Sequence, residues 1–313
     1  MSNLTYHALP LCGVLFTEES LIVPKHLAIV SLLAVASLCG FSQPAYSQAL
    51  APYTIQLDEE RLEQQGFFLF HSAIEAFQRG AFSLEQTSVQ VQLASRIAPD
   101  NPQILAALGE LYKRQEKYDE ALVVLQQALV LDPENAAIFF EIGTVHLRQE
   151  QYLSAVTALE EGLVLTPNVF GALFDLGNAY FKLERYEQAI ANYEKAVEVQ
   201  DDLWFAINNI GLVLYERNHS RENDTDAAIR YWEQAVAMTE GKEAEPLLAL
   251  AVAKFQAGQE ATGLDQGIRA LQLNTAYADI EFLRDNLWGD RLIAHTEDFL
   301  SQPLIQSTLG QLR

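Results

Sequence analysis

Apolar positions recur along most of this chain at the spacing of a helix face. In residues 102–135, Leu105, Leu108, Gly109 and Tyr112 stand at i, i+3, i+4 and i+7, which places them on one side of a helix. After the polar stretch Gln115-Glu116-Lys117, a second stripe follows in Ala121, Leu125, Ala128 and Leu129. Asp132-Pro133 ends it, because proline lacks an amide hydrogen and restricts the residue before it. Asn101 and Asn135 sit where helix N-caps are needed, and Pro102 suits a first helical turn. The pattern predicts two helices joined by a short turn.

That two-helix pattern repeats. Gly109, Gly143, Gly177 and Gly211 are 34 residues apart, and Tyr118, Tyr152 and Tyr186 keep the same step. So do Ala121, Ala155 and Ala189, and also Pro99, Pro133 and Pro167. The small residues have a steric role: Gly109 and Ala121 let two helices of a unit approach, and Ala128 lets the second helix meet the next unit. One unit alone cannot bury both of its apolar faces, so the units must stack.

Leu108-Gly109, Tyr112, Tyr118, Ala121, Leu125, Ala128 and Pro133 resemble the tetratricopeptide repeat signature. The unit 136–169 carries Ile142-Gly143, Tyr152, Ala155, Leu159 and Pro167, with Gly162 in place of the third small alanine. The unit 170–203 carries Leu176-Gly177, Tyr180, Tyr186, Ala189, Tyr193 and Ala196, with Asp201 in place of the proline. The flanking units are weaker. Unit 68–101 keeps Ala94 and Pro99 but has His71 and Glu75 at positions usually apolar and small. Unit 204–243 has Ile210-Gly211, Ala228, Trp232 and Ala235 around a polar insertion, and unit 244–275 is degenerate. Residues 48–67 read as a linker or N-terminal cap and 276–313 as a helical cap. The resemblance implies an all-α, right-handed α-solenoid of stacked antiparallel helix pairs with a C-terminal capping region. It also implies a non-enzymatic interaction protein.

In that family the first helix of each pair lines a concave groove that takes a peptide or a helix. The resemblance places Ala137, Phe140, Thr144 and Leu147 there, then Gly171, Phe174, Asn178 and Phe181, then Phe205, Asn208, Leu212 and Tyr215. An exposed apolar and aromatic lining points to a partner or a self-contact, with Asn178 and Asn208 able to bond a peptide backbone. The competing reading is that these phenylalanines pack between neighbouring units. The carboxylate-clamp variant of the family is not matched, since Asn178 and Lys182 have Thr144 and Arg148 as their counterparts.

The N-terminal part is different in character. Leu27 to Phe41 is an uncharged apolar run preceded by Lys25 and followed by small residues, the pattern of a secretory signal peptide with cleavage near Ser47 or Ala49. The run falls short of the ~20 residues of a comfortable membrane span; retained, it would be an anchor. Either outcome places the repeats outside the cytoplasm, in a periplasm or lumen. Residues 1–22 hold Glu18 and Glu19 and no Lys or Arg, which points to translation starting near Val23.

Composition narrows the function further. The 313 residues carry a formal net charge of -22, so phosphate backbones and anionic lipid surfaces are repelled and basic or apolar partners are favoured. Both cysteines, Cys12 and Cys39, lie in the N-terminal segment, which leaves the repeats without a disulfide or thiolate site. The histidines are scattered, and no Gly-x-Ser-x-Gly turn, phosphate loop or His-x-x-x-His pair occurs. The expectation is no catalytic residue, no cofactor and no metal. The oxygen-rich insertion Asn218 to Asp226 reads as a solvated loop whose Asp224 and Asp226 cap the next helix.

Overall fold

The structure, a computed structural model, describes residues 58–217 and 224–312. The N-terminal segment and most of the insertion after Arg217 lie outside the described residues, and with them the signal-peptide reading and the loop 218–223.

Six helix pairs follow one another. They are α1 (Glu59–Gln78) with α2 (Leu84–Ile97), α3 (Pro102–Arg114) with α4 (Tyr118–Leu131), and α5 (Ala136–Arg148) with α6 (Tyr152–Leu165). Then come α7 (Phe170–Lys182) with α8 (Tyr186–Val199), α9 (Trp204–Arg217) with α10 (Asp224–Met238), and α11 (Ala244–Gln256) with α12 (Glu260–Leu273). A 3-10 turn (Thr275–Ala278) leads into α13 (Ile280–Asp285), α14 (Asp290–Leu300) and α15 (Pro303–Leu312). Each second helix packs on the first helix of the next pair, and α3, α5 and α7 also touch as a row. The expected all-α solenoid is the observed architecture. α1 begins at Glu59, inside the stretch 48–67 read as linker or N-terminal cap, because Asp58 caps it through the Arg61 amide at 3.1 Å.

The 34-residue glycines do what their position required. A Cβ on Gly109 would lie 2.5 Å from Leu125, one on Gly143 2.6 Å from Leu159, and one on Gly177 2.6 Å from the Tyr193 ring. The fourth, Gly211, meets the Trp232 indole in the same way. Where Gly162 replaces an alanine, the Phe140 ring fills the space, with its Cε1 2.5 Å from where a Cβ would be. Asn101 caps α3 by accepting from Gln103 and Ile104, and Asn135 caps α5 by accepting from Ala137. One buried apolar cluster runs from Ala155 to Ile305, joining the later pairs to the C-terminal helices.

Candidate protein-binding surface

The first helices of the pairs carry a chain of polar contacts from one unit to the next. Lys113 of α3 donates to Glu141 of α5 at 2.5 Å. Thr144 Oγ1 lies 2.9 Å from Asp175 Oδ2 of α7. Asn178 Oδ1 accepts from Asn209 Nδ2 of α9 at 3.2 Å and from the Tyr193 hydroxyl at 2.6 Å. Asn208 of α9 donates to Glu245 of α11 at 3.1 Å. Burial holds the Asp175 carboxyl above its ordinary value, against the pull of the Thr144 hydroxyl and of Lys113 and Arg148.

The positions expected to line a groove divide into two groups along this row. Phe140, Thr144, Leu147, Phe174 and Asn178 are half-buried on α5 and α7, and Ala137 is exposed. The Phe174 ring meets Phe205 edge-on at 4.9 Å and Tyr193 at 5.5 Å, so it ties α7 to α8 and α9 as well as facing outward. Phe205 is half-buried beside Trp204. The other positions are closed off. Phe181 packs on Tyr186 and is buried, and Asn208, Leu212 and Tyr215 are buried too. The expectation of an open lining therefore does not describe these four side chains.

The cover over α9 and α11 is the chain's own α14. It buries Leu292, Ile293, Thr296, Phe299 and Leu300 on one face, and it contacts both α9 and α11. Its N-terminus is held by Glu216 of α9, whose carboxylate accepts from the Arg291 amide at 3.1 Å and the Leu292 amide at 2.9 Å. Those first-turn amides have no intrahelical partner, so a carboxylate from another helix is the group that satisfies them. A Cβ on Gly289 would come within 2.3 Å of Glu216, which is why the residue before α14 has none. Arg291 lies over the Tyr215 ring at 4.3 Å and donates to the Tyr215 carbonyl at 2.6 Å. The Tyr215 hydroxyl is 2.7 Å from His295 Nδ1. Burial lifts the Tyr215 hydroxyl to about 12 and raises the Glu216 carboxyl despite its amide bonds. Burial, with Arg291 second, lowers His295.

Sequence reasoning placed the groove positions by repeat register, and although it read 276–313 as a helical cap it missed Glu216 and Glu245 and the packing of that cap on α9 and α11. A signal was present. Ala206 to Tyr215 and Leu247 to Ala253 are apolar nearly all round, and a helix with no polar face is one with no wet face. All of those residues are buried. At the mouth of the insertion, Asp224 receives two hydrogen bonds from Arg217, at 2.9 and 3.0 Å, which ties the ends of α9 and α10 together. Among the described residues no group of three or more His, Cys, Asp or Glu is placed to hold a metal ion, and no helix is long and apolar enough to cross a membrane.

Two family models match the chain, one described as TPR repeat over residues 109–150 and one as Tetratricopeptide repeat over residues 171–203. No curated protein sequence matches it. Among solved structures, PilW, described as a widely conserved type IV pilus biogenesis factor, is 20% identical with a TM-score of 0.58, over 72% of this chain and 99% of PilW. Pseudomonas aeruginosa PilF is 19% identical with a TM-score of 0.56, over 73% of this chain and 98% of PilF. YrrB, described as a TPR protein with an unusual peptide-binding site, is 17% identical with a TM-score of 0.50, over 66% of this chain and 97% of YrrB. Likeness at this identity speaks to the fold, an all-α solenoid of stacked helix pairs, and the two family models identify tetratricopeptide repeats within it over residues 109–150 and 171–203.

Proposed function

We propose that this protein is a non-enzymatic scaffold that holds a protein or peptide segment against the first helices α3, α5 and α7. The observation that carries this reading is the contrast along the row. On α9 and α11 the corresponding surface is covered by α14, while on α5 and α7 Phe140, Thr144, Leu147, Phe174 and Asn178 remain half-exposed beside Ala137. Apolar and aromatic side chains interleaved with amide and hydroxyl groups suit a segment that contributes both side chains and backbone. The acidic balance of the chain favours a basic or apolar partner and disfavours nucleic acid. The apolar run Leu27 to Phe41 supports an address outside the cytoplasm, where the work would be assembly of other proteins. PilW's description as a pilus biogenesis factor and YrrB's as a peptide binder fit that kind of task.

The test needs substitutions that block the surface without breaking the fold. Asn178 and Phe174 are unsuitable, because both hold neighbouring helices together. Ala137 is exposed, and a Cβ on Gly171 would meet nothing within 4 Å. Crosslinking capture is therefore run with the native chain and with Ala137→Trp plus Gly171→Trp. A client captured by the first and lost by the second, with helicity unchanged, supports the reading; identical capture by both overturns it.

Self-association is the second reading, and a separate surface favours it. Val130 and Val164, equivalent residues on α4 and α6, are 82% and 80% exposed, with Val123, Leu131 and Leu165 exposed nearby. A mass that rises with concentration and falls back with Val130→Arg plus Val164→Arg would identify that strip as a contact between copies.

A further inference from the structure

The seam between the last two helix pairs and α14 half-buries a carboxyl group that, among the described residues, has no cation paired with it. Glu245, in the first turn of α11, accepts from Asn208 Nδ2 of α9 at 3.1 Å and from the Tyr277 hydroxyl of the 3-10 turn at 3.5 Å. The buried Trp288 indole N–H, just ahead of α14, is directed at the same carboxyl without completing a hydrogen bond. The charge that acts on it from the described residues is Glu243, of like sign. The positive end of α11 favours an anion here, yet burial outweighs it and lifts the carboxyl to about 7.

A second observation is independent of any titration. Asn208 is 1% exposed and its Oδ1 has no hydrogen-bond partner. A buried amide oxygen left unpaired is costly. Across the same contact, a protonated Glu245 can supply the missing donor. The amide N–H would then bond one carboxyl oxygen while the carboxyl O–H bonds Oδ1, a two-point acid–amide pair. An ionised Glu245 has no hydrogen to give and leaves Oδ1 unpaired.

We propose that Glu245 is a pH-sensitive latch for the C-terminal helices: protonated, it pairs with Asn208 and lets α13–α15 close over α9 and α11; ionised, it loosens that closure and uncovers the first-helix surface beneath. The latch does not depend on what binds at α3, α5 and α7. Its sign is set by a carboxyl raised in the closed form. Closure is full below the ordinary glutamate range and weakens as pH rises through that range to about 7, beyond which it changes no further. Glu216 is raised as well and acts in the same direction, while His295 is lowered and opposes it by favouring closure at higher pH.

The comparison of the native chain with Glu245→Gln isolates the one group, since Glu216, His295 and Tyr277 remain in both. Glutamine also restores a donor for Asn208 Oδ1. Amide hydrogen exchange of α14 is followed from pH 5.5 to 8 and corrected for intrinsic exchange. The expected result is an opening that grows by about thirtyfold more in the native chain than in the variant. Parallel profiles in the two proteins overturn the proposal. Carbon-13 titration of the Glu245 carboxyl in the native chain decides the matter should the variant fail to fold. A midpoint near neutrality upholds the latch, and one in the ordinary glutamate range removes it.

Discussion

At the scale of single residues, the turn inside each pair uses a backbone conformation that its side chain resists. Glu116, Glu150 and Glu184 have φ of 60°, 58° and 58°, one per unit at the same position, while Gly80 and Gly258 occupy the corresponding turns of the first and sixth pairs. The turn requires the left-handed residue because it ends the first helix. The Lys117 amide reaches back to the Tyr112 carbonyl at 2.9 Å and the Glu116 amide to Lys113 at 3.0 Å. A glutamate there carries a Cβ strain that glycine does not. Glu150→Gly is therefore expected to raise stability by about 0.5 kcal/mol, and Glu150→Val to lower it, as read by denaturant midpoint. Helical glycines divide by their surroundings in the same way. Gly177→Ala forces a Cβ toward the Tyr193 ring and should cost ~1–3 kcal/mol. Gly171→Ala enters open space and should be neutral or stabilising by up to ~1 kcal/mol.

At the scale of helices, the pair α9–α10 is interrupted by the insertion yet its ends are joined by Arg217 and Asp224. Both side chains are buried, and the guanidinium also lies 3.6 Å from Glu187. Removing one partner leaves a buried charge. Asp224→Ala is expected to destabilise by roughly 3 kcal/mol, and Arg217→Met with Asp224→Leu by distinctly less, which a thermal melt of the three proteins resolves. The elements show what a repeat register reveals and what it hides. The 34-residue step placed α3 through α8 because glycine, alanine and tyrosine each have one steric task per unit, and the structure uses them that way. The register also carried the groove positions forward onto α9, where it ceased to be informative. Periodicity states which residues are equivalent; it does not state that a non-repeating helix has been laid over the last two. The evidence for that cover was in the side chains off the packing stripe. Thr144 and Asn178 are polar at their position, whereas Leu212 is apolar and α11 has no polar face until Lys254 apart from Glu245. Glu245 itself, one acid in a buried run, was readable as a residue needing a partner, but Tyr277 and Trp288 stand too far along the chain for sequence spacing to connect them to it.

At the scale of the stacked pairs and their cap, the arrangement makes stability uneven along the chain. Each pair touches only its neighbours, so the stability of the stack is close to a sum of local terms. The C-terminal helices break that pattern, since α14 contacts α9 and α11 and α15 contacts α12. Two successive pairs thereby depend on a segment that belongs to neither. Without it, Tyr215, whose ring lies under Arg291 and whose hydroxyl meets His295, would lose its cover, and so would the apolar stretches of α9 and α11 that α14 packs on. Deleting residues 280–313 should therefore remove more helix than the deleted residues contain, with the excess loss confined to α9–α12 in hydrogen exchange. The pairs α3–α8, whose first helices bear half-exposed Phe140, Thr144 and Phe174, should keep their protection because their contacts are complete among themselves. Protection lost uniformly from α1 to α12 would mean that the stack unfolds as one cooperative unit. Protection retained on α9–α12 would mean that their apolar faces close on one another, and α14 would then be an occupant of the first-helix row instead of part of its core.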